Sequence, residues 1–144
     1  MIDGSGCLST PQRLNETPRK RIALVINSFV GGGAERVFSI FLRLAAEKRS
    51  SHDFTLILLD REPDAYPIPD WVDTIRLDCR KSLPRSIFAL TAALRKVRPS
   101  LTFSFLTRAN AACVIAARLL GFKCVISERV HTSSHFGAGL RGKI

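Results

Sequence analysis

Arg21-Ile22-Ala23-Leu24-Val25-Ile26-Asn27-Ser28-Phe29-Val30-Gly31-Gly32-Gly33-Ala34-Glu35-Arg36-Val37-Phe38 carries an apolar strand into three consecutive glycines and then directly into a helical pattern. Glycine lets the backbone approach a ligand closely and adopt torsions that other residues avoid. The helix that follows directs unpaired N–H groups and the positive end of its dipole at the same point. An anionic ligand, a phosphate above all, is the natural occupant of such a turn; the bland alternative is a mere tight turn. The place of the glycines, between a first strand and a first helix, favours the cradle.

Outward from this stretch the chain reads as a βα alternation. Arg21–Ser28 is a continuous apolar strand, and Ala34–Glu47 places Val37, Phe38, Phe41, Leu42, Leu44 and Ala45 at helical spacing. Asp53–Leu59 and Asp73–Leu77 read as further strands, separated by Arg61–Asp70, whose three prolines forbid regular structure. Leu83, Ile87, Leu90, Leu94 and Val97 mark a helix that Pro99 stops. Leu101–Phe105 is a strand, Ala109–Leu120 a small-residue helix ended by Gly121, and Lys123–Ser127 a last strand. Continuous apolar strands alternating with helices predict an α/β fold: a Rossmann-like, doubly wound parallel sheet covered on both faces. Ligands of such sheets bind outside the carboxyl ends of the strands. The loops to search are therefore Phe29–Arg36, Asp60–Pro69, Leu106–Asn110 and Glu128–Phe136.

The bulk properties narrow the choice. A chain of 144 residues with 46% apolar content makes one globular domain. The first twenty residues hold no secretory apolar run and no later stretch has membrane-spanning length, so a cytoplasmic protein is expected. Cys7, Cys79, Cys113 and Cys124 show no C-x-x-C pair and no His at ligand spacing. They predict reduced thiols, with Cys113 and Cys124 in the core, and neither a zinc site nor a disulfide framework. The net charge of +10 is uneven: no acidic residue stands between Asp78 and Glu128, whereas Arg80, Lys81, Arg85, Arg95, Lys96, Arg98, Arg108, Arg118 and Lys123 do. Such a field attracts phosphorylated ligands or an anionic membrane leaflet, or is a plain solvated face. The stretch lacks an aromatic-rich reading surface, so no nucleic-acid partner is expected.

Among individual residues, Gly31 and Gly33 fit the G-x-G-x-x-G dinucleotide fingerprint, but Arg36 stands where its third small residue belongs. Asp60, ending the second strand, could imitate the acid that binds a ribose, so a nicotinamide-dependent oxidoreductase is one alternative. Glu35 in the first helical turn meets the helix dipole favourably, and Arg36 either pairs a phosphate or faces solvent. Glu128-Arg129-Val130-His131 leaves the last strand for a polar loop. A strand-end His beside Glu and Arg is well placed for acid–base or hydrogen-bonding work, although a lone loop His is more often simply solvated. His52, on the opposite edge of the sheet, is read as uninvolved.

With these residues in view, the chain resembles the amino-terminal domain of a GT-B glycosyltransferase of the retaining family 4 group. The likeness rests on Gly31-Gly32-Gly33-Ala34-Glu35-Arg36-Val37, similar to that group's G-G-A-E-R-V signature, and on Ser127-Glu128-Arg129, similar to its S-E-R segment. It covers Arg19 to Phe136. The resemblance implies two Rossmann-like domains facing a cleft, the amino-terminal one holding a glycan or lipid-linked sugar acceptor and the other a nucleotide-sugar donor. Gly31, Gly32, Gly33 and Arg36 would then meet the donor diphosphate. Glu128, Arg129 and His131 would line the acceptor side, Glu128 and His131 being the candidate catalytic residues. No metal and no cofactor are implied, because in GT-B enzymes amides and basic side chains stabilise the departing phosphate.

The resemblance further implies a domain organisation of residues 1–18 as an unstructured extension and 19–144 as a truncated amino-terminal domain. The donor domain with its acidic E-x7-E-type motif lies outside the chain, so a fragment of a longer gene product or one half of a two-polypeptide enzyme is expected, inactive alone. The work implied is polysaccharide biosynthesis in the cytoplasm, with peripheral attachment to the inner face of the plasma membrane. The remaining rival is a non-catalytic Rossmann-type module that binds a nucleotide or phospho-sugar.

Overall fold

The computed structural model describes residues 18–128. The elements run β1 (Lys20–Ile26), α1 (Gly33–Ala45), a 3-10 turn (Ala46–Lys48), β2 (His52–Leu58), β3 (Asp73–Arg76), α2 (Leu83–Val97), β4 (Leu101–Phe105), α3 (Thr107–Leu120) and β5 (Lys123–Ser127). The strands form one sheet in the order β3-β2-β1-β4-β5, and every pairing is parallel. β1 lies at its centre, Ile22–Ile26 opposite Phe54–Leu58 on one side and Ile22–Val25 opposite Leu101–Ser104 on the other.

The order explains the two layers. The chain moves outward from β1 through β2 to β3, then returns past β1 to β4 and β5. Right-handed crossovers put helices of opposite travel on opposite faces. Leu24, Ile26, Phe54, Leu56, Leu58 and Phe105 therefore pack with Phe38 and Leu42 of α1. Ala23, Val25, Ile57 and Leu59 pack with Leu90 and Leu94 of α2 and with Ala109, Ala112, Cys113 and Ala116 of α3. Alternate residues of one strand thus serve different helices, which is why the strands read as unbroken apolar runs. On the α1 face, Phe38 meets Phe105 edge-on at 4.5 Å between ring centroids. On the other face, the small side chains of α3 suit the short side chains of Thr102 and Ser104, both fully buried.

The sequence-predicted elements all form, with shifted ends. α3 begins at Thr107 rather than Ala109, because its polar first turn carries no apolar periodicity. β1 ends at Ile26, although Asn27 still accepts the Asp60 N–H at 2.8 Å, which carries the ladder past the strand end. Pro84 stands in the first turn of α2, where its missing N–H costs nothing, and Arg98 closes that helix in the left-handed region at φ 50°. No described helix is long and apolar enough to cross a membrane.

Candidate functional site

The strand order reverses between β1 and β4, and the chain leaving β1 at that point is the glycine loop. Phe29 is fully buried, and its carbonyl accepts the Ala65 N–H at 2.7 Å. Tyr66 meets the Phe29 ring edge-on at 6.4 Å. The proline-rich segment after β2 therefore covers one side of the loop. That cover decides what each glycine is for. Gly31 has φ +118°, which L side chains rarely adopt, and a Cβ there would lie 3.1 Å from Ala65 Cβ. Gly32 is extended, caps α1 without any side-chain cap, and has the Glu35 carboxylate folded onto it, within 2.5 Å of where a Cβ would stand. Gly33 begins α1, and a Cβ on it would meet nothing within 4 Å. Only Gly31 is required by backbone torsion; Gly33 leaves open space at the helix N-terminus.

That space is an open cavity of about 330 Å³ lined by Gly33, Ala34, Glu35, Val37 and Leu106. Leu106, from the β4–α3 turn, holds φ 75° and ψ 144°. A branched side chain in that region is strained by roughly 1–3 kcal/mol, and such strain gathers at functional sites. The cavity thus lies at the reversal point, with the start of α1 on one wall and Leu106 of the β4–α3 turn on the other; Gly31, Gly32 and Arg36 are not among the residues that line it. Arg36 lies on the exposed side of the first turn of α1.

Behind Leu106 a polar shelf joins α3 to the end of β5. Ser104 Oγ donates to Asn110 Oδ1 at 2.8 Å, which orients the amide. Asn110 Nδ2 then donates to the Ser127 carbonyl at 3.0 Å and to Glu128 Oε2 at 3.3 Å. Thr107 Oγ1 donates to Glu128 Oε1 at 3.2 Å. Both carboxylate oxygens of Glu128 are held, and each keeps further acceptor capacity, so an exposed strand-end side chain becomes a fixed acceptor for hydroxyl groups. Arg129 and His131 lie outside the described residues.

The sequence reading missed the role of Asp60 and Arg108. Asp60 is buried, and both its carboxylate oxygens face the Arg108 guanidinium, Oδ2 pairing with Nη2 and Oδ1 lying 3.3 Å from Nη1. Oδ1 also accepts the Lys81 N–H at 3.0 Å, while Arg108 Nη1 donates to Ser86 Oγ at 3.0 Å. This pair ties the end of β2 to α2 and α3. Asp60 is only 5% exposed, so its carboxylate is not open to the ribose that the oxidoreductase alternative would bring to it. The only sequence signal was an acid at a strand end, which is commonplace. His52 sits at the amino end of β2, its Nδ1 2.8 Å from Ser51 Oγ, away from the reversal point.

The architecture is that of a Rossmann-like α/β domain with its candidate site at the point where the strand order reverses. No protein-family model matches the chain, and no curated protein matches it in sequence. In fold it is similar to the solved apo form of lipopolysaccharide outer core galactosyltransferase WaaB, with a TM-score of 0.58 and 12% identity over 75% of this chain and 32% of that one. The likeness is one of fold: this Rossmann-like parallel α/β sheet matches part of that glycosyltransferase. The chain spans about a third of that neighbour's length.

Proposed function

We propose that this chain is the acceptor-side domain of a GT-B glycosyltransferase of the family 4 type. The donor diphosphate would lie against Gly31, Gly32, Gly33 and Arg36, and the acceptor along Glu128, Arg129 and His131. The observation that carries this reading is the open cavity at the strand reversal, where the α1 N-terminus and the strained Leu106 turn face the same space. The free N–H groups at the start of α1 suit the oxygens of a departing diphosphate, because preorganised donors stabilise developing charge without reorganising. Glu35, whose carboxylate folds over Gly32, would swing aside as the more highly charged ligand arrives. Glu128, held by Thr107 and Asn110, would accept a hydroxyl of the sugar acceptor, with His131 as its partner in proton handling.

Transfer needs both substrates in near-attack geometry, and the nucleoside would be held by a second domain. The setting is the inner face of the plasma membrane, where lipid-linked acceptors of polysaccharide synthesis are met. Amide NMR of the chain titrated with pyrophosphate and with nucleotide-sugars tests the site. Resonances of residues 31–36 and 106–107 should move together with either ligand. Shifts confined to the distant amino edge of the sheet, around His52, would defeat the reading, and saturable NADH binding at the glycine loop would restore the oxidoreductase alternative.

A further inference from the structure

Two of the four cysteines, remote in their roles in the sequence, meet across the α3–β5 interface. Cys113 Sγ and Cys124 Sγ are 3.0 Å apart. A disulfide bond is about 2.05 Å long, so roughly an ångström of side-chain movement separates contact from bond. Their surroundings differ. Cys113 is fully buried between α3 and the sheet, whereas Cys124 is half-buried on β5, one of the two edge strands among the described residues. We propose that Cys113 and Cys124 are an oxidation site: a small-molecule disulfide converts them to an intramolecular cross-link joining α3 to β5.

The asymmetry sets the order of events. Burial, reinforced by the neighbouring Cys124 sulfur, pushes the Cys113 thiol well above its ordinary pKa, so it keeps its proton and is closed to solvent. Entry therefore falls to Cys124. Its thiolate attacks one sulfur of the incoming disulfide, forming a mixed disulfide and expelling the other half as a thiolate. Cys113 then attacks Cys124 Sγ, its proton passing to the departing thiolate as the second half is released. The protein loses two protons and two electrons, and the small disulfide gains them as two thiols. Cys79, buried near Ser86 and with its own thiol raised by burial, has no second thiol beside it among the described residues and takes no part.

The cross-link has a structural consequence. Asn110, one helical turn before Cys113, already bonds to Ser127 and Glu128. A second tie between the same helix and strand would hold the Glu128 shelf more rigidly and raise the melting temperature.

The test uses the full chain incubated with graded ratios of oxidised to reduced glutathione, quenched by alkylation and mapped by peptide mass spectrometry. The expected product is a 113–124 cross-linked peptide lacking two hydrogens, carrying no glutathione and reversed by dithiothreitol, with a higher melting temperature than the reduced chain. Cys113→Ala should instead leave Cys124 carrying a stable glutathione adduct, while Cys124→Ser should leave Cys113 unmodified in the folded protein. The wild-type map decides the matter even if a variant fails to fold. A lasting glutathione adduct on wild-type Cys124, or alkylatable Cys113 and Cys124 at the most oxidising ratio, overturns the proposal.

Discussion

At the scale of single residues, the three glycines separate into different jobs, and substitution should reveal them one at a time. Gly31→Ala forces a Cβ into the left-handed region and against Ala65, so it should destabilise the domain by about 1–2 kcal/mol in a chemical melt. Gly33→Ala adds a better helix former into open space, so it should melt at or slightly above the parent temperature, a gain of at most about 1 kcal/mol. If the cavity beside it takes a diphosphate, Gly33→Val should nonetheless weaken nucleotide-sugar binding in the assembled enzyme. Normal binding by Gly33→Val would remove the glycine loop from the site. Glu128→Gln exchanges one acceptor oxygen for a donor on a shelf where both oxygens now accept, so on the proposed function it should lower turnover with acceptor more than donor affinity. Equal turnover in parent and variant would make that shelf structural.

At the scale of elements, the Asp60–Arg108 pair is the joint on which β2, α2 and α3 meet. Their side chains are only 7% and 16% exposed, so removing one partner strands a charge in a dry setting. Arg108→Ala should cost about 3–5 kcal/mol, and the double variant Asp60→Asn/Arg108→Met should recover much of that loss. A loss in the double variant equal to the sum of Asp60→Asn and Arg108→Met measured singly would show that the two do not act as a pair. The outer face of α2 makes a different demand. Phe88 is 81% exposed between two shallow apolar grooves, one shared with Arg95 and with Leu119 of α3, the other with Arg85. Lys96 and Arg98 are exposed near the end of the same helix. A protruding ring among mostly basic side chains, with Asp78 the acid lining the second groove, would suit an anionic leaflet, each cation that reaches it adding about 1 kcal/mol. The chain should float with anionic liposomes and not with neutral ones, less so at high salt. Phe88→Ser and the Arg95, Lys96 and Arg98 to Gln variant should each reduce flotation; binding unchanged in both would return this surface to ordinary solvation.

At the scale of the whole molecule, the proposed division of labour predicts that the purified 144-residue chain transfers no sugar from common nucleotide-sugars, and that a donor domain supplied in trans restores transfer. Robust transfer by the chain alone would point to a site other than the cavity at the strand reversal. Sequence by itself determined the layer order, because the inner strands are apolar on both sides and each helix on one, and glycine, proline or a polar cluster marks the boundaries. It narrowed the search to four loops at the carboxyl ends of the strands, and the strand order β3-β2-β1-β4-β5 then put the first and third of them at the reversal point. What it could not show are meetings between residues far apart in the chain. Gly31 is singled out from its neighbours by its positive φ and by Ala65, which folds over it from the loop after β2. Asp60 is turned inward by an arginine 48 positions later. Glu128 is held by two residues of the preceding helix, and Cys113 touches Cys124 only because α3 lies back along β5. Local pattern encodes which face of an element is buried, whereas packing alone decides which side chains share that burial and so which of them can act together.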